Sequence, residues 1–322
     1  MPNPPLVIRG KWRGKEYRVL RELGRGTGGI VYEVSHAQRN FALKVGHDSF
    51  TLTSEINVLK LLQKAEGTVL GPSLYDVDDW VSPSGVRSFY VMNVIKGVPV
   101  HHYVRNQGEE WLPVLVMQLL GFLDQLHKRG YVFGDLKPEH LLVTGSPPRL
   151  VWFDAGGMTP IGRAVKEYTE LYDRGYWQMG DRRANPEYDL FSTSLMILHM
   201  AQGKPVTLQQ DPLTTFIHQM ERTPLLTPYR TVLKNAFLGR YPSAQAMKKD
   251  WFIAWQKDRF PGKTRRAPFS QPGNTSPSRR TTANKPKKGW RLLVKVFKII
   301  LFLILSSFLS LLAALYLIYQ VL

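Results

Sequence analysis

The sequence predicts an α+β fold of two lobes, followed by a basic linker and one apolar helix. Apolar runs of strand length dominate residues 17–96, and longer helical runs dominate residues 97–258. Residues 259–298 contain twelve Lys or Arg and no Asp or Glu, and residues 299–322 contain no charge at all. We therefore expect a β-rich N-lobe, a helical C-lobe, a flexible linker and a membrane helix, preceded by an N-terminal extension at residues 1–16.

The elements follow from local patterns of apolar residues and breakers. Alternating or β-branched runs predict strands at 18–23, 30–35, 41–45 and 88–95. A 3.6-residue repeat predicts one N-lobe helix near 54–64, and a long C-lobe helix over 109–129 ends before Gly130. The functional motifs are expected where the two lobes meet.

Composition excludes several classes of chemistry. The chain has 322 residues and no cysteine, so disulfides, thiolate metal sites and thiol nucleophiles are ruled out. Twelve of its +18 formal charges lie in the linker, which leaves the two lobes only mildly basic. The N-terminus carries three prolines and no apolar stretch of signal-peptide length, which argues against a cleaved secretory signal.

A glycine motif follows the first predicted strand. Gly24, Gly26, Gly29 and Val31 match the pattern G-x-G-x-x-G-x-V. A dinucleotide fold would place a helix next, whereas residues 31–34 continue as a strand. Without Cβ atoms the backbone amides can approach phosphate oxygens closely, although an ordinary glycine hairpin is the alternative for this motif alone.

Two opposite charges occupy apolar surroundings. Lys44 lies inside the strand-like run 41–45, where an unpaired ammonium would be costly. Glu55 shares a helical face with Leu59 and Leu62 and should also point inward. We expect a Lys44–Glu55 pair that aims the lysine at ligand phosphates. The alternative for each is a surface charge with a buried aliphatic stem.

The motif D-x-K-P-E-x-L-L begins at Asp135 and is followed by Asp154-Ala155-Gly156. With the glycine motif, Lys44 and Glu55, its order and spacing resemble the Hanks-type (eukaryotic-like) bacterial serine/threonine protein kinases. The resemblance covers about residues 17–255 and implies a two-lobed protein-kinase-like fold. Within that family, the basic linker and terminal apolar segment are most similar to the short, tail-anchored kinases of spore-forming bacteria.

This resemblance implies ATP and a divalent cation as cofactors, protein substrates, and a role for each motif residue. Asp135 would take the proton of the acceptor hydroxyl, and Lys137 would neutralise the transferring phosphoryl group. Asp154 would hold Mg²⁺, and Lys44 would grip the α and β phosphates. Other positions with an implied role are the glycine loop (Gly24, Gly26, Gly29, Val31), the hinge at 90–95 with Met92 and Val94, and Asp189 as a brace of the catalytic loop.

Some positions depart from the family pattern. His140 replaces the asparagine that holds a second metal ion, which predicts tolerance of Mn²⁺ beside Mg²⁺, with simple packing as the alternative. Gly134 replaces an arginine that binds phosphorylated activation segments, so phosphorylation of that segment is not expected to be the switch, although Thr159 and Thr169 could still be phosphorylated. Ala155 replaces a phenylalanine whose volume Phe133 is expected to refill.

Asn185-Pro186-Glu187 resembles the family's A-P-E motif but lies unusually close to Asp189. Two other functions remain open. Gly134-Asp135 also fits small-molecule kinases of the aminoglycoside and sugar phosphotransferase type. A pseudokinase binding module is the second alternative, although Lys44, Asp135 and Asp154 are all present.

The C-terminal segments predict attachment to a membrane. The 24 uncharged residues 299–322 suffice to span a bilayer, and the cations of 259–298 flank only their N-terminal side. We expect a tail-anchored, single-pass protein of the cell membrane with a cytoplasmic kinase domain. The linker could bind anionic lipid or, nonspecifically, DNA, and autophosphorylation of its serines and threonines could weaken either contact.

Overall fold

The computed structural model describes residues 6–63, 71–83, 85–208 and 211–260. The predicted linker beyond Phe260 and the predicted membrane helix at 299–322 lie outside the described residues. Within the described ranges, no helix has both the length and the apolarity that crossing a bilayer requires.

A six-stranded antiparallel sheet forms the N-lobe, in the order β1-β2-β3-β4-β6-β5. Its strands are β1 (Val7–Arg9), β2 (Glu16–Gly26), β3 (Gly29–His36), β4 (Arg39–Gly46), β5 (Leu74–Ser82) and β6 (Gly85–Asn93). The helix α1 (Ser49–Gln63) packs on one face of this sheet. Alternation along β4 places Leu43 in one apolar cluster and Ala42 in another, so both faces of this central strand are buried.

The N-lobe holds two strands that the sequence did not predict. The strand β1 pairs with β2 and buries Ile8 completely, so residues 7–16 of the expected N-terminal extension are part of the lobe. The strand β5 pairs with β6 although it contains three aspartates, a residue type that is depleted in strands. The four predicted strands and the predicted helix are present, with ends that differ by several residues.

The C-lobe is mainly helical. Its helices are α2 (Val100–Gln107), α3 (Trp111–Lys128), α4 (Pro186–Gln202), α5 (Pro212–Glu221), α6 (Arg230–Phe237) and α7 (Ala244–Arg259). The expected long helix over 109–129 is therefore confirmed as α3 within two residues at each end. Its buried leucines enter the large apolar cluster shared with α4, α6 and α7.

Short strands in the C-lobe position the residues of the cleft. They are β7 (Val98–Pro99), β8 (Tyr131–Val132), β9 (Leu141–Thr144), β10 (Arg149–Trp152) and β11 (Thr159–Pro160). In the β9–β10 hairpin, Leu141 pairs with Trp152. Because His140 precedes β9 and Asp154 follows β10 by two residues, the hairpin brings these two side chains together at its open end.

Candidate active site

A cleft of about 1300 Å³ lies between the sheet of the N-lobe and the helices of the C-lobe. The expected site residues that line it are Gly24, Gly26, Gly29, Val31, Lys44, Met92, Val94, Asp135, Lys137, His140 and Asp154. Glu55 is the exception, because it lies behind Lys44 with 1% of its surface exposed. The fold thus gathers residues that are up to 130 positions apart in sequence into one site.

The glycine motif forms a β-hairpin over the cleft. The strands β2 and β3 are joined by Thr27-Gly28, which confirms the expected β-turn-β arrangement. A Cβ at Gly29 would lie 2.2 Å from the carbonyl oxygen of Val45, and its φ of +150° is rarely adopted by other residues. At Gly24 and Gly26 no atom lies within 4 Å of such a Cβ. Glycine is required for the turn at Gly29 and leaves open space at the other two.

The expected ion pair between Lys44 and Glu55 is present. The Lys44 Nζ donates to both Glu55 carboxylate oxygens, at 2.8 and 2.7 Å, and lies 3.8 Å from Asp154 Oδ1. Burial disfavours the charged form of Lys44, but the carboxylates of Asp154 and Glu55 outweigh it and raise the lysine pKa above its usual value. The lysine is therefore an ammonium at neutral pH.

Tyr90 completes this arrangement and was not expected from the sequence. It lies opposite Lys44 in the β4–β6 pairing, and its hydroxyl donates to Glu55 Oε2 at 2.8 Å. Burial raises the pKa of the Glu55 carboxyl, an effect that Lys44 and Tyr90 oppose. The Glu55 carboxylate is therefore held by the Lys44 ammonium and by the Tyr90 hydroxyl together.

His140 and Asp154 face each other at the end of the cleft beside Lys44, where the phosphates of ATP are expected to bind (the phosphate end). The His140 Nε2 lies 3.8 Å from Asp154 Oδ2, while His140 Nδ1 lies 2.9 Å from the backbone oxygen of Asp135. Since a carbonyl only accepts, Nδ1 carries the hydrogen and Nε2 presents a lone pair to the cleft. Burial raises the pKa of Asp154, but the Lys44 ammonium and the Gly156 N–H oppose this effect, and the pKa lies below its usual value.

These two donors fit a divalent cation that takes its other ligands from elsewhere. Among the described residues, no three His, Asp or Glu side chains are arranged to hold a metal ion by themselves. Mg²⁺ is usually bound by one or two carboxylates together with substrate phosphates and water. An ionised carboxylate and an imidazole lone pair at the phosphate end of the cleft satisfy that requirement.

Asp135 is held by two groups beside the cleft. The Lys137 Nζ donates to Asp135 Oδ2 at 2.8 Å, and the Thr169 hydroxyl donates to Asp135 Oδ1 at 2.8 Å. Lys137 also donates to Thr169 Oγ1 at 3.0 Å. Thr169 thus connects both catalytic-loop residues, a role that the sequence did not reveal because Thr169 lies 34 residues after Asp135 in an irregular segment.

The buried carboxylate of Asp189 binds the backbone of the catalytic loop, the loop that contains Asp135, as expected from the sequence. Its Oδ2 accepts from the Phe133 N–H at 2.7 Å, and its Oδ1 accepts from the Gly134 N–H at 3.0 Å. His127 contributes a further contact of 2.8 Å to the same carboxylate. Asp189 is fully buried in α4, so the loop is anchored to the centre of the C-lobe.

Two departures from the family pattern have local explanations. Asn185 caps α4 by accepting from the Tyr188 N–H at 3.0 Å, and Pro186 is the first helical residue, so this triplet is a helix start. Phe133 packs edge-to-face on Phe122 and Trp152 in the same apolar cluster as Ala155. Its role in refilling volume beside Ala155 stays a prediction.

Thr159, where the sequence left phosphorylation open, is not accessible in the folded C-lobe. Its side chain is fully buried, and its hydroxyl donates to the Gly157 carbonyl at 2.8 Å. A protein kinase could not reach it without opening this part of the C-lobe. The sequence left this possibility open because a threonine outside any predicted helix or strand gives no indication of its burial.

Comparison with known proteins identifies the architecture. The family model of the protein kinase domain matches residues 17–250. The chain is 43% identical over 289 residues to the serine/threonine-protein kinase YabT of Bacillus subtilis strain 168, covering 89% of this chain and 84% of that protein. These matches confirm the resemblance to short kinases of spore-forming bacteria.

More distant relatives agree with this result. The serine/threonine-protein kinase PknE of Mycobacterium bovis is 27% identical over 202 residues, which cover 59% of this chain and 35% of that protein. The crystal structure of the Mycobacterium tuberculosis PknI kinase domain superposes with a TM-score of 0.55 at 18% identity, covering 79% of this chain and all of that domain. The last comparison supports the two-lobed fold.

Proposed function

Since the chain belongs to the protein kinase family, in which it is an ATP-dependent serine/threonine kinase, we propose that it phosphorylates protein hydroxyls at a membrane surface. The observation that carries the transfer step is the Asp135 carboxylate between Lys137 and Thr169. In this position Asp135 can accept a hydrogen bond from an acceptor hydroxyl that displaces one of these partners.

The transfer follows from the groups around that carboxylate. The acceptor oxygen forms a bond to the γ-phosphorus of ATP as the bond from that phosphorus to the β-γ bridging oxygen breaks, which releases ADP. Asp135 receives the hydroxyl proton, and the Lys137 ammonium faces the charge on the transferring group. Lys44 holds the α and β phosphates. Asp154 and His140 would hold a divalent cation, which would supply further neutralisation of phosphate charge when bound.

The experiment uses the full chain with γ-labelled ATP, Mg²⁺ or Mn²⁺, and a generic basic protein, beside Asp135→Asn. We expect labelling of the protein acceptor that the substitution abolishes. Parallel reactions offer an aminoglycoside and a sugar as acceptors. Labelling of a small acceptor instead of protein would support a small-molecule kinase, and ATP binding without any labelling would support a pseudokinase.

We propose that the metal site accepts both Mg²⁺ and Mn²⁺. The support is the Nε2 lone pair of His140, since imidazole suits softer ions than Mg²⁺. We expect His140→Asn to weaken Mn²⁺ binding to the ATP-loaded chain, measured by electron paramagnetic resonance, and to improve relative activity with Mg²⁺. Unchanged Mn²⁺ affinity and unchanged metal preference would reduce His140 to a packing residue.

The proposed location is the cell membrane, with a single tail-anchoring span and the kinase domain in the cytoplasm. Its support is the uncharged segment 299–322 beside the cations of 259–298. We expect the full chain to float with vesicles at alkaline pH and high salt, whereas a chain ending at residue 298 should not. Recovery of both in the soluble fraction would contradict the anchor.

We further propose that the basic linker, residues 259–298, binds polyanions and that this occupancy regulates activity. Its twelve cations favour contact with anionic lipid or DNA phosphates, without base recognition. We expect either anionic vesicles or DNA to raise the phosphorylation rate, with the effect lost as salt increases. No response to either polyanion at low salt would contradict this regulation.

A further inference from the structure

The activation segment, residues 154–184, is held at two places. Backbone hydrogen bonds of 2.8–2.9 Å join residues 162–165 to residues 182–184. Further along, the Thr169 hydroxyl donates to Asp135. The residues between these anchors have a fixed path, and two of them, Lys166 and Glu167, extend across the cleft to the N-lobe.

Lys166 contacts α1. Its Nζ lies 2.5 Å from the hydroxyl of Ser54, which precedes Glu55. Glu55 in turn binds Lys44 through both carboxylate oxygens. Because Ser54 and Glu55 are adjacent in one helix, a displacement of Ser54 would move the carboxylate that orients the phosphate-binding lysine. Lys166 therefore connects the activation segment to the Lys44–Glu55 pair.

Glu167 contacts the glycine-rich turn, Thr27-Gly28, that joins β2 to β3. Its Oε1 accepts a hydrogen bond of 3.2 Å from the Thr27 hydroxyl, at the tip of the hairpin that covers the cleft. Its Oε2 lies 3.0 Å from the position that a Cβ on Gly156 would occupy. Two adjacent residues of opposite charge thus reach two different N-lobe elements, α1 and the hairpin.

The usual alternative for ordering such a segment is an arginine of the catalytic loop that binds a phosphorylated residue. Position 134 cannot provide it. Gly134 has a φ of +79°, and a Cβ there would lie 2.3 Å from the Gly157 carbonyl oxygen. Thr159 is buried as well, and the Thr169 hydroxyl is bound to Asp135 and Lys137.

We propose that Lys166 and Glu167 are positioning residues that hold α1 and the glycine-rich turn in their working places without phosphorylation of the activation segment. The inference rests on the proposed transferase function of the same cleft. Lys166 acts on the Lys44–Glu55 pair through Ser54, and Glu167 acts on nucleotide binding through Thr27.

The test compares four variants of the full chain in detergent micelles. The changes are Lys166→Met, Glu167→Gln, Lys166→Arg and, as a control, Arg163→Met. Arg163 is an exposed cation of the same segment, and its side chain makes no hydrogen bond or ion pair with the other described residues. For each variant, amide hydrogen exchange is measured in α1 and in the β2–β3 hairpin, together with kcat, the KM for ATP and the melting temperature.

We expect Lys166→Met to speed exchange in α1 and to lower kcat by roughly three- to tenfold, the loss of one solvent-exposed hydrogen bond. Lys166→Arg should retain most of the parent's kcat and most of its protection against exchange in α1, since arginine keeps a charged donor. Glu167→Gln should speed exchange in the hairpin and act mainly on the KM for ATP. Arg163→Met should match the parent protein, and all four should melt within a few degrees of it.

Equal exchange in α1 for Lys166→Met and Arg163→Met would overturn the proposal. So would a loss of activity when the parent protein is treated with a phosphatase, because the segment would then depend on a phosphorylated residue. Altered α1 exchange in a chain that transfers no phosphate would leave the positioning role standing and contradict the proposed function instead.

Discussion

The aspartates of the N-lobe sheet and Asp154 in the cleft differ in how far their carboxylate oxygens are used. In the N-lobe, Asp76 accepts from the Tyr17 hydroxyl at 2.7 Å, lies 3.2 Å from Lys15 Nζ and also accepts from Arg13. Asp78 accepts from the backbone N–H groups of Trp12 and Arg13, each at 2.9 Å. We name residues 12–15 with Asp76 and Asp78 the N-terminal clamp.

Asp154 in the cleft has fewer partners. Its Oδ1 accepts from the Gly156 N–H at 2.9 Å, whereas no described residue donates a hydrogen bond to Oδ2. Its side chain is also 36% exposed, against 0% for Asp76. The clamp therefore serves folding, since its carboxylates are fully used, and the cleft retains a charged oxygen for a ligand.

The largest effect that follows concerns catalysis. Asp154→Asn removes the ionised oxygen that faces the phosphate end and should lower kcat/KM by at least about a thousandfold. The free energy of unfolding should fall by less than about 1 kcal/mol, because the carboxylate is partly exposed and accepts a single hydrogen bond, which an amide oxygen can also accept. Kinetics with labelled ATP and a denaturant titration measure both. A large drop in stability would place Asp154 with the clamp.

Asp76→Ala should show the opposite pattern. It leaves the buried Tyr17 hydroxyl without its acceptor and separates Arg13 and Lys15 from their partner. We expect the free energy of unfolding to fall by about 3 kcal/mol, with kcat changed by less than about threefold. Asp258→Ala, at an exposed position of α7, is the control. Loss of activity without loss of stability in Asp76→Ala would contradict the assignment of Asp76 to folding and of Asp154 to catalysis.

Gly134→Ala tests the backbone that connects stability and catalysis in the catalytic loop. The positive φ and the 2.3 Å approach to the Gly157 oxygen make any side chain unfavourable at this position. We expect a loss of about 2 kcal/mol in unfolding free energy together with reduced kcat, because Asp135 follows directly. Parent-like stability and activity in both assays would show that the loop adapts freely.

The pH dependence of stability gives the smallest effect. Burial raises the pKa of Asp76, but the hydrogen bonds from Tyr17 and Lys15 outweigh it and hold the pKa below its ordinary value. The unfolded carboxyl titrates near about 4, so this stabilisation is fully present above that pH and is lost as pH falls through the lower folded value. Between about pH 5 and 2, the free energy of unfolding of Asp76→Asn should depend less steeply on pH than that of the parent protein. An identical slope would contradict the lowered pKa.

Sequence patterns predicted the core strands and the motif residues but missed the clamp. The run 41–45 and the leucines of α3 show their burial by periodicity alone, and Lys44 and Glu55 meet as expected. The partners of Asp76 and Asp78 in β5 lie about 60 residues earlier in the chain, so no local pattern shows that these carboxylates are satisfied.

The cleft shows the same limit. Asp135, Lys137 and Asp154 were identified because their motifs are contiguous in sequence. Thr169, Lys166 and Glu167 belong to an irregular segment, and their partners are set by the path of the backbone between two anchors. Such positions follow from the three-dimensional fold rather than from periodicity or a motif.

Asp76 serves folding, whereas Asp154 serves ligand binding. This difference is tested most directly by adding a non-hydrolysable ATP analogue with Mg²⁺ to the full-length parent, Asp76→Asn and Asp154→Asn proteins. The rise in melting temperature that the ligand causes is measured for each. A ligand that binds only the folded state stabilises it by about 2.7 kcal/mol at a hundred times its Kd. We predict that the parent and Asp76→Asn show the same rise from different starting temperatures, and that Asp154→Asn shows little or none. Equal rises in the parent and Asp154→Asn, or a rise lost in Asp76→Asn, would contradict the account.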